Sequence, residues 1–532
     1  MHKLNIKSVE ENMKVCFVAI NAKYIHTAPS VRILNKIVSK KYDSCFFEFT
    51  IKDKLDNIIE KLKDYDIIGL SCYIWNIEMM IELSKKIKLL YPNKIIFSGG
   101  PEVGYDTKSF VNDFDYIISG EGEEVIIPFI DAIINNGEIP EGIASINNPI
   151  VKPLFVKDLN NVPSIIDTYT EEDRKNRIIY LETTRGCPFN CSYCLSSLEK
   201  GVRFFNDEYV KEVFDFILNN EFKCVKFLDR TFNINSKRFL DICKLLETTN
   251  NTYQFEIEAQ LFNDEIIDYF TNIVTPNKFR LEIGVQSLMD DAIKAVDRKQ
   301  DNKKIVEIIN TINKAGRVVI HVDLIAGLPY ETLNDFKNTF NKTFLLLCDE
   351  LQLGFLKLLR GTKIRNESYL YNYKFTKCAP YEVISNNFLT EQEMDIIHQC
   401  ENGLEWLWNH KRAYNLMIHL INDKVIDNYF DFFYQFNKYY DKTKQLYENY
   451  ESLCKYLKDI NLYKQQYIDD LKLDYLSNLK IKPRPFWEIK ESLENYRKLL
   501  GYQNTNYYIT PYYDKYLVIK YEKGKQPLLV IE

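Results

Sequence analysis

No apolar run in this 532-residue chain approaches the roughly 20 residues needed to cross a bilayer. The stretch from Met1 to Ile20 holds only a short apolar run, Val15 to Ile20, so neither a secretory peptide nor a membrane partner is expected. Basic charge is not in excess. The formal net charge is −6 and no basic stretch stands out, which argues against a nucleic acid wrapped over a broad surface. The twelve cysteines are spread thinly rather than packed into a small domain, so a disulfide framework is not expected and a reducing, cytoplasmic setting is. What remains is 46% hydrophobic and 27% charged, the profile of a globular chain of two or three domains.

The chain is organised around Thr183-Thr184-Arg185-Gly186-Cys187-Pro188-Phe189-Asn190-Cys191-Ser192-Tyr193-Cys194, which follows the apolar run Ile178 to Leu181. Its C-x3-C-x2-C spacing reads as a three-thiol claw on a loop. Thiolates are soft ligands, and closely spaced cysteines on one loop most often hold an iron–sulfur cluster. Three ligands leave one iron of a four-iron cube open, as a catalytic zinc site leaves one position open. The next cysteine is Cys224, so nothing nearby completes a zinc shell. Gly186 permits a tight backbone, and Pro188 and Asn190 disfavour a helix through the claw.

Ahead of the claw, strand and helix signals alternate. Lys14–Ile20, Ser44–Thr50, Asp66–Cys72, Lys94–Ser98 and Asp115–Ser119 are short β-branched or aromatic runs, separated by helical patterns at Val31–Lys40, Asp53–Lys63, Asn76–Leu90 and Glu123–Ile134. Five such units predict a Rossmann-like doubly wound parallel sheet over residues 1–145, with a ligand crevice at the strand ends. Those ends read Asn21 to His26, Ser71-Cys72-Tyr73, Ser98-Gly99-Gly100-Pro101-Glu102 and Ser119-Gly120-Glu121-Gly122-Glu123. Their glycines admit a bulky ligand, and Ser71 and Ser98 offer hydroxyls. Cys16, Cys45 and Cys72 sit in or beside strands and read as core thiols.

After a connector over 146–172, alternation resumes at Ile178–Glu182, Cys224–Asp229, Tyr253–Glu258, Lys278–Val285, Val318–Leu324 and Glu350–Lys357. Six βα units predict an incomplete form of the eight-unit barrel, assigned to 173–375. Asn263 and Thr332 read as helix caps. Along the fourth strand Glu282, Gly284 and Gln286 fall at period two on one face, taken as the barrel interior. His321 reads as a hydrogen-bonded barrel residue. Residues 376–532 read as mainly α-helical, with Trp406, Trp408 and Tyr414 as core aromatics and a terminal hairpin of Tyr513–Tyr521 and Leu528–Ile531 around Gly524.

With Tyr193 in the aromatic place of C-x3-C-x-aromatic-C, the claw resembles the radical SAM superfamily. The resemblance implies a 4Fe-4S cluster on Cys187, Cys191 and Cys194, S-adenosylmethionine chelated to its open iron, and a 5'-deoxyadenosyl radical released on reduction. It also implies the partial (β/α)6 barrel and SAM contacts at Tyr193, Asp229, Glu282, Gln286, Ala326 and Gly327, with Asp229 serving where the family's G-G-E motif binds the methionine amino group. A Rossmann-like domain carrying S-G-G-P-E and S-G-E-G-E ahead of the claw resembles the cobalamin-binding members. By that likeness Ser71, Gly99, Gly100, Gly120 and Glu121 line the corrin and its nucleotide tail. The D-x-H-x-x-G motif that supplies a lower cobalt ligand is missing; His26 stands in its place without the Asp, the Gly or an evident partner to orient it, so a bond to cobalt is not expected. The last third resembles a subgroup with an uncharacterised carboxyl-terminal region, expected to select the substrate.

These resemblances imply methyl transfer to an unactivated carbon, with cyclisation or rearrangement, methylthio transfer and cofactor sensing as alternatives. The partners implied are a small-molecule or peptide substrate and a reducing protein such as a flavodoxin or ferredoxin. No catalytic residue is assigned.

Overall fold

Short β-branched runs buried on both faces are the mark of a parallel sheet covered by helices, and the first domain is built that way. In the computed structural model, which describes residues 13–489, 492–502, 506–522 and 527–532, β1 (Val15–Asn21), β2 (Ser44–Thr50), β3 (Ile67–Ser71), β4 (Ile95–Gly99) and β5 (Tyr116–Ile118) run parallel in the order β2-β1-β3-β4-β5. A sixth, antiparallel strand, β6 (Ile143–Ala144), extends the β5 edge; at two residues it is too short for a periodicity to show. Along β1, Cys16, Val18 and Ile20 join one core with Ile58, Met80 and Leu83. Val15, Phe17 and Ala19 join the other with Val31, Phe129 and Ile130. Each fully buried aliphatic or aromatic side chain contributes about 1.5–3 kcal/mol. Helices at Pro29–Val38, Leu55–Leu62, Ile77–Leu90 and Ile126–Asn135 cover the faces. Pro29 begins the first of them, where its missing N–H costs nothing.

The barrel strands are β7 (Ile178–Leu181), β10 (Cys224–Phe227), β11 (Tyr253–Ile257), β12 (Phe279–Gln286) and β13 (Val319–Ala326), parallel in the order β13-β12-β11-β10-β7. Between β7 and β10 lies an antiparallel pair, β8 (Thr184–Cys187) and β9 (Gly201–Phe204). The claw is therefore not wholly a loop, since Cys187 ends a strand. Strand β14 spans Glu350–Phe355, and a short antiparallel pair, β15 (Lys374–Phe375) and β16 (Val383–Ser385), follows. Asn263 caps its helix by accepting from the Ile266 N–H.

The chain divides into two compact units, Met1–Glu331 with Gly354–Phe388, and Thr332–Leu353 with Leu389–Glu532. The helix Leu333–Phe344 and the first four residues of β14 belong to the second unit. Its boundary in the tail falls at Leu389, because β15 and β16 belong to the first unit. Within the second unit Thr332 forms a capping box with Asp335. Helices at Glu391–Leu404, Tyr414–Asn422, Tyr429–Asn437, Leu446–Asp459 and Gln465–Ser477 surround Trp406 and Trp408, both buried core residues. The terminal hairpin proves to be a three-stranded antiparallel sheet of β17 (Tyr507–Tyr512), β18 (Lys515–Lys520) and β19 (Leu528–Ile531). Its turn at Gly524 lies outside the described residues. Among the described residues no helix is long and apolar enough to cross a membrane.

Buried charge joins the Rossmann-like sheet to the barrel inside the first unit. Arg32 pairs with Glu48 at 2.7 Å and with Asp173 at 3.1 Å, and Arg177 pairs with Asp173 at 2.8 Å and with Glu48. Two cations and two anions balance, which is the condition for burying any of them. The Ile178 N–H donates to the Ile25 carbonyl at 2.8 Å, so the loop after β1 lies along the free edge of β7.

Candidate functional site

The claw is held by its backbone. The Ser192 N–H donates to the Val296 carbonyl at 2.9 Å, and the Ile364 N–H donates to the Ser192 carbonyl at 3.0 Å. Gly186 has φ 86°, and a Cβ there would lie 2.3 Å from the Gly201 carbonyl oxygen, so only glycine lets β8 and β9 pair at this point. Cys191 is buried, and Cys187 and Cys194 are half-buried. Burial pushes the Cys187 and Cys191 thiols up; the Phe189 N–H and Thr231 hydroxyl oppose it at Cys187, and Arg298 opposes it at Cys191. Arg298 Nη1 lies 3.9 Å from Cys191 Sγ, and its other donors reach Glu258 at 3.0 Å, the Gly284 carbonyl at 2.7 Å and Gln300 at 2.6 Å. It ties the claw to the ends of β11 and β12. Tyr193 lies against Cys191 and Arg298, and burial raises its pKa.

Among the described residues, no three His, Cys, Asp or Glu side chains converge on a single ion. A zinc site needs ligands about 2.0–2.3 Å from one point. Three thiolates that each bind a different iron of one cube need no shared point, so the donor set fits a cluster.

At the barrel rim, Glu282, Gly284 and Gln286 fall on one face of β12, alternating with buried Leu281, Ile283 and Val285. Glu282 accepts from Lys226 at 2.6 Å and from Gln254. Gln286 sits at a register shift with φ 64°, a conformation that costs a non-glycine residue about 1–3 kcal/mol and clusters at functional sites. Its Oε1, like Glu258 Oε1, is buried without a protein partner. Two unsatisfied acceptors near the claw fit the hydroxyl groups of a ribose. Glu258 was not singled out in the sequence. The Ala326 carbonyl accepts from the Leu356 N–H at 2.9 Å, and the Gly327 carbonyl accepts from Tyr373 at 2.9 Å and Asn386 at 3.0 Å. Both carbonyls are thus engaged within the protein.

Asp229 is enclosed just past the end of its strand. It is 1% exposed; Oδ2 accepts from the Thr183 N–H at 2.9 Å, and Oδ1 from the Thr183 and Thr184 hydroxyls. Burial pushes its pKa up to about 6 despite these donors. The carboxyl fixes the residues that lead into the claw rather than opening into the barrel mouth. His321 bridges Arg280 and Asp323, with Nε2 2.9 Å from Asp323 Oδ1.

In the Rossmann-like sheet, the chain order reverses between β1 and β3, where the rule for such sheets places the ligand crevice. A cavity of about 250 Å³ opens there, and Ser71, Gly99, Gly100, Gly120 and Glu121 all line it, with Arg185 at its wall. Gly99 and Gly122 leave a cradle that side chains would fill, and Ser71 and Ser30 place hydroxyls 3.1 Å apart beside it. A bulky nucleotide-like tail fits such a lining. Ser98 does not line it, because the strand alternation that presents Phe97 and Gly99 sends Ser98 to the other face; its hydroxyl is buried without a partner. Burial alone would raise Glu121, yet Arg203 and Arg185 hold it below the usual carboxylate range. Arg185 lies 3.2 Å from Glu121 and 2.8 Å from Glu123. His26 is not part of the cavity lining; its Nδ1 lies 2.8 Å from the Tyr180 hydroxyl. Cys16 and Cys45 are paired in β1 and β2, and Cys16 and Cys72 are fully buried, so these three thiols form no second claw.

The chain matches family models for a B12 binding domain over residues 15–127, for the radical SAM superfamily over 181–343, and for a protein of unknown function, DUF4080, over 370–523. The cobalamin-dependent radical SAM methyltransferase TokK of Streptomyces tokunonensis is 24% identical over 327 residues, 55% of this chain and 46% of its own length. The chain thus spans about half of that relative. A tRNA-2-methylthio-N(6)-dimethylallyladenosine synthase of Fervidobacterium nodosum is 24% identical over 303 residues, 50% of this chain and 66% of its own. The structure of the cobalamin-dependent S-adenosylmethionine radical enzyme OxsB, solved with aqua-cobalamin and S-adenosylmethionine, matches with a TM-score of 0.60 at 15% identity, over 88% of this chain and 79% of that one. That likeness is one of fold. With a thiol claw and a glycine-lined cavity standing in the segments that two of the family models cover, the chain carries a B12 binding domain, a radical SAM domain and a DUF4080 region in that order.

Proposed function

We propose that the protein is a cobalamin-dependent radical SAM enzyme that transfers a methyl group to an unactivated carbon of a small molecule or peptide, with a flavodoxin or ferredoxin as reductant. The observation that supports this most is Arg185. It leaves the claw strand two residues before Cys187 and ends among Glu121 and Glu123 at the wall of the glycine-lined cavity, so one side chain ties the proposed cluster site to the proposed corrin site. When bound, the cluster supplies an electron, S-adenosylmethionine a methyl group or an adenosyl radical, and the corrin a methyl carrier. Cys187, Cys191 and Cys194 would ligate three irons. Arg298 would donate toward the Cys191 sulfur, and Thr231, 3.5 Å from Cys187 Sγ, toward the other. Gln286 and Glu258 would accept from the ribose, while Tyr193, Glu282, Ala326 and Gly327 would line the remaining SAM surface. Ser71, Gly99, Gly100 and Gly120 would admit the corrin tail, and Glu121, pinned by two arginines, would shape its wall. The protein's task is to hold these groups in line and keep water out.

Anaerobically reconstituted protein tests the reading. Dithionite-dependent formation of 5'-deoxyadenosine from SAM is expected and should vanish in Cys191→Ala. A product heavier by one methylene supports methyl transfer, and an unchanged or hydrogen-depleted product points to cyclisation or rearrangement. Iron distinguishes methylthio transfer: about four irons per chain accord with a single claw and about eight with two clusters.

A further inference from the structure

Six arginines in the first unit are locked. Arg32, Arg177, Arg185, Arg203, Arg298 and Arg360 each make two or more contacts of 3.2 Å or less to carboxylates, carbonyls or polar side chains. Arg230 is different. It follows β10 at the barrel rim, 52% of its side chain is exposed, and its one ion pair among the described residues is a long 3.6 Å approach of Nη1 to Glu256 Oε2. A guanidinium carries five N–H donors, so most of these have no acceptor among the described residues. Lys226, which also faces Glu256 at 3.8 Å, is committed to Glu282 at 2.6 Å.

The surroundings of Arg230 come from three directions. Glu256 belongs to β11 and shares Lys226 with Glu282 of β12, at 3.8 and 2.6 Å. The next residue, Thr231, places its hydroxyl 3.5 Å from Cys187 Sγ of the claw, and Cys187 and Cys194 both lie within electrostatic reach of Arg230. Tyr73 and Tyr105, also within reach, belong to the loops after β3 and β4 at the ligand end of the Rossmann-like sheet. Tyr73 stacks on Trp75 with ring centroids 4.4 Å apart, which fixes that loop. Arg230 therefore stands where a group must be held if its carbon is to face both the claw and the corrin side.

We infer that Arg230 anchors a carboxylate or phosphate of the substrate, so that the enzyme selects an anionic molecule. The inference rests on the function proposed above. A planar fork with free donors suits a two-oxygen anion, and a charge-assisted pair of this kind is worth about 1.5–3 kcal/mol, on the order of tenfold to a hundredfold in affinity.

The test uses full-length protein carrying cluster and cobalamin, titrated by calorimetry with malonate, with inorganic phosphate and, separately, with SAM. Saturable binding of malonate or phosphate is expected. Arg230→Gln should weaken it by about tenfold or more, Arg230→Lys by only about threefold, and neither should change SAM affinity or iron and corrinoid content. Absence of saturable anion binding to the unaltered protein, or equal binding in Arg230→Gln, overturns the inference. A loss of SAM affinity in step with anion binding also overturns it, because the guanidinium then serves the carboxylate of SAM. A change confined to the midpoint potential of the cluster overturns it too, leaving Arg230 a charge beside the claw. Failure of the broader functional reading looks different: the protein then retains neither iron nor corrinoid.

Discussion

Asp229 stands at a strand end, and the resemblance to the radical SAM superfamily gives it the task of meeting SAM. Its three donors from Thr183 and Thr184 give it another. Replacing it with Asn removes charge and acceptor capacity from a buried, satisfied site, at a cost of about 1–3 kcal/mol. Asp229→Asn should lower iron retention, while protein that keeps its cluster binds SAM as tightly as before by calorimetry. A selective loss of SAM affinity would restore the original assignment. In the second unit, burial pushes Asp474 up to about 7 although it accepts from Asn415 and Leu416. The unfolded chain releases that proton near pH 3.9, so between about pH 4 and pH 7 the native state binds more protons and stability falls as pH rises. Thermal unfolding should therefore occur at lower temperature at pH 8 than at about pH 5.5, with the difference reduced in Asp474→Asn. The three cysteines of the claw stand out in the sequence because their spacing is local. Arg298, Glu258 and Arg230 do not: Arg298 reaches Cys191 across 107 residues of sequence, and no spacing rule links them.

At the scale of elements, the parallel strands were legible because each is a short run of buried apolar residues between turn formers. The β8–β9 pair was not, because Thr184–Cys187 and Gly201–Phe204 contain glycine, arginine and thiol residues with no alternation to read. Strand β17 escaped for a similar reason, with Pro511 inside it and Asn506 just before it. Glycines at the strand ends make sharper predictions. Gly120 has φ 85°, and a Cβ there would lie 2.0 Å from the Leu154 carbonyl oxygen. Gly120→Ala must displace the Leu154 backbone or shift Gly120 itself, which lines the cavity, costing about 1–3 kcal/mol, and should reduce bound corrinoid per chain by absorbance while leaving iron intact. Gly186→Ala, opposed by the Gly201 carbonyl, should have the reverse effect, lowering iron with corrinoid retained.

At the scale of the molecule, the order of a Rossmann-like sheet, a partial barrel and a mainly helical tail was legible from the change in hydrophobic period. The division into units was not. The helix Leu333–Phe344 joins the second unit through packing that links it to residues such as Phe430 and Phe433, nearly a hundred positions away. The Arg32–Glu48–Arg177–Asp173 group also depends on distant pairing. Arg32→Met would leave Glu48 and Asp173 short of one buried cation, a loss of about 3–5 kcal/mol, and should lower the denaturation midpoint of the first unit. The central claim is that one unit holds a three-thiol cluster site and a corrin site. Iron and cobalt analysis of anaerobically reconstituted protein tests it most directly. About four irons and one cobalt per chain are expected, with iron lost and cobalt kept in Cys191→Ala; a chain that retains neither metal, or whose iron survives that substitution unchanged, contradicts the account.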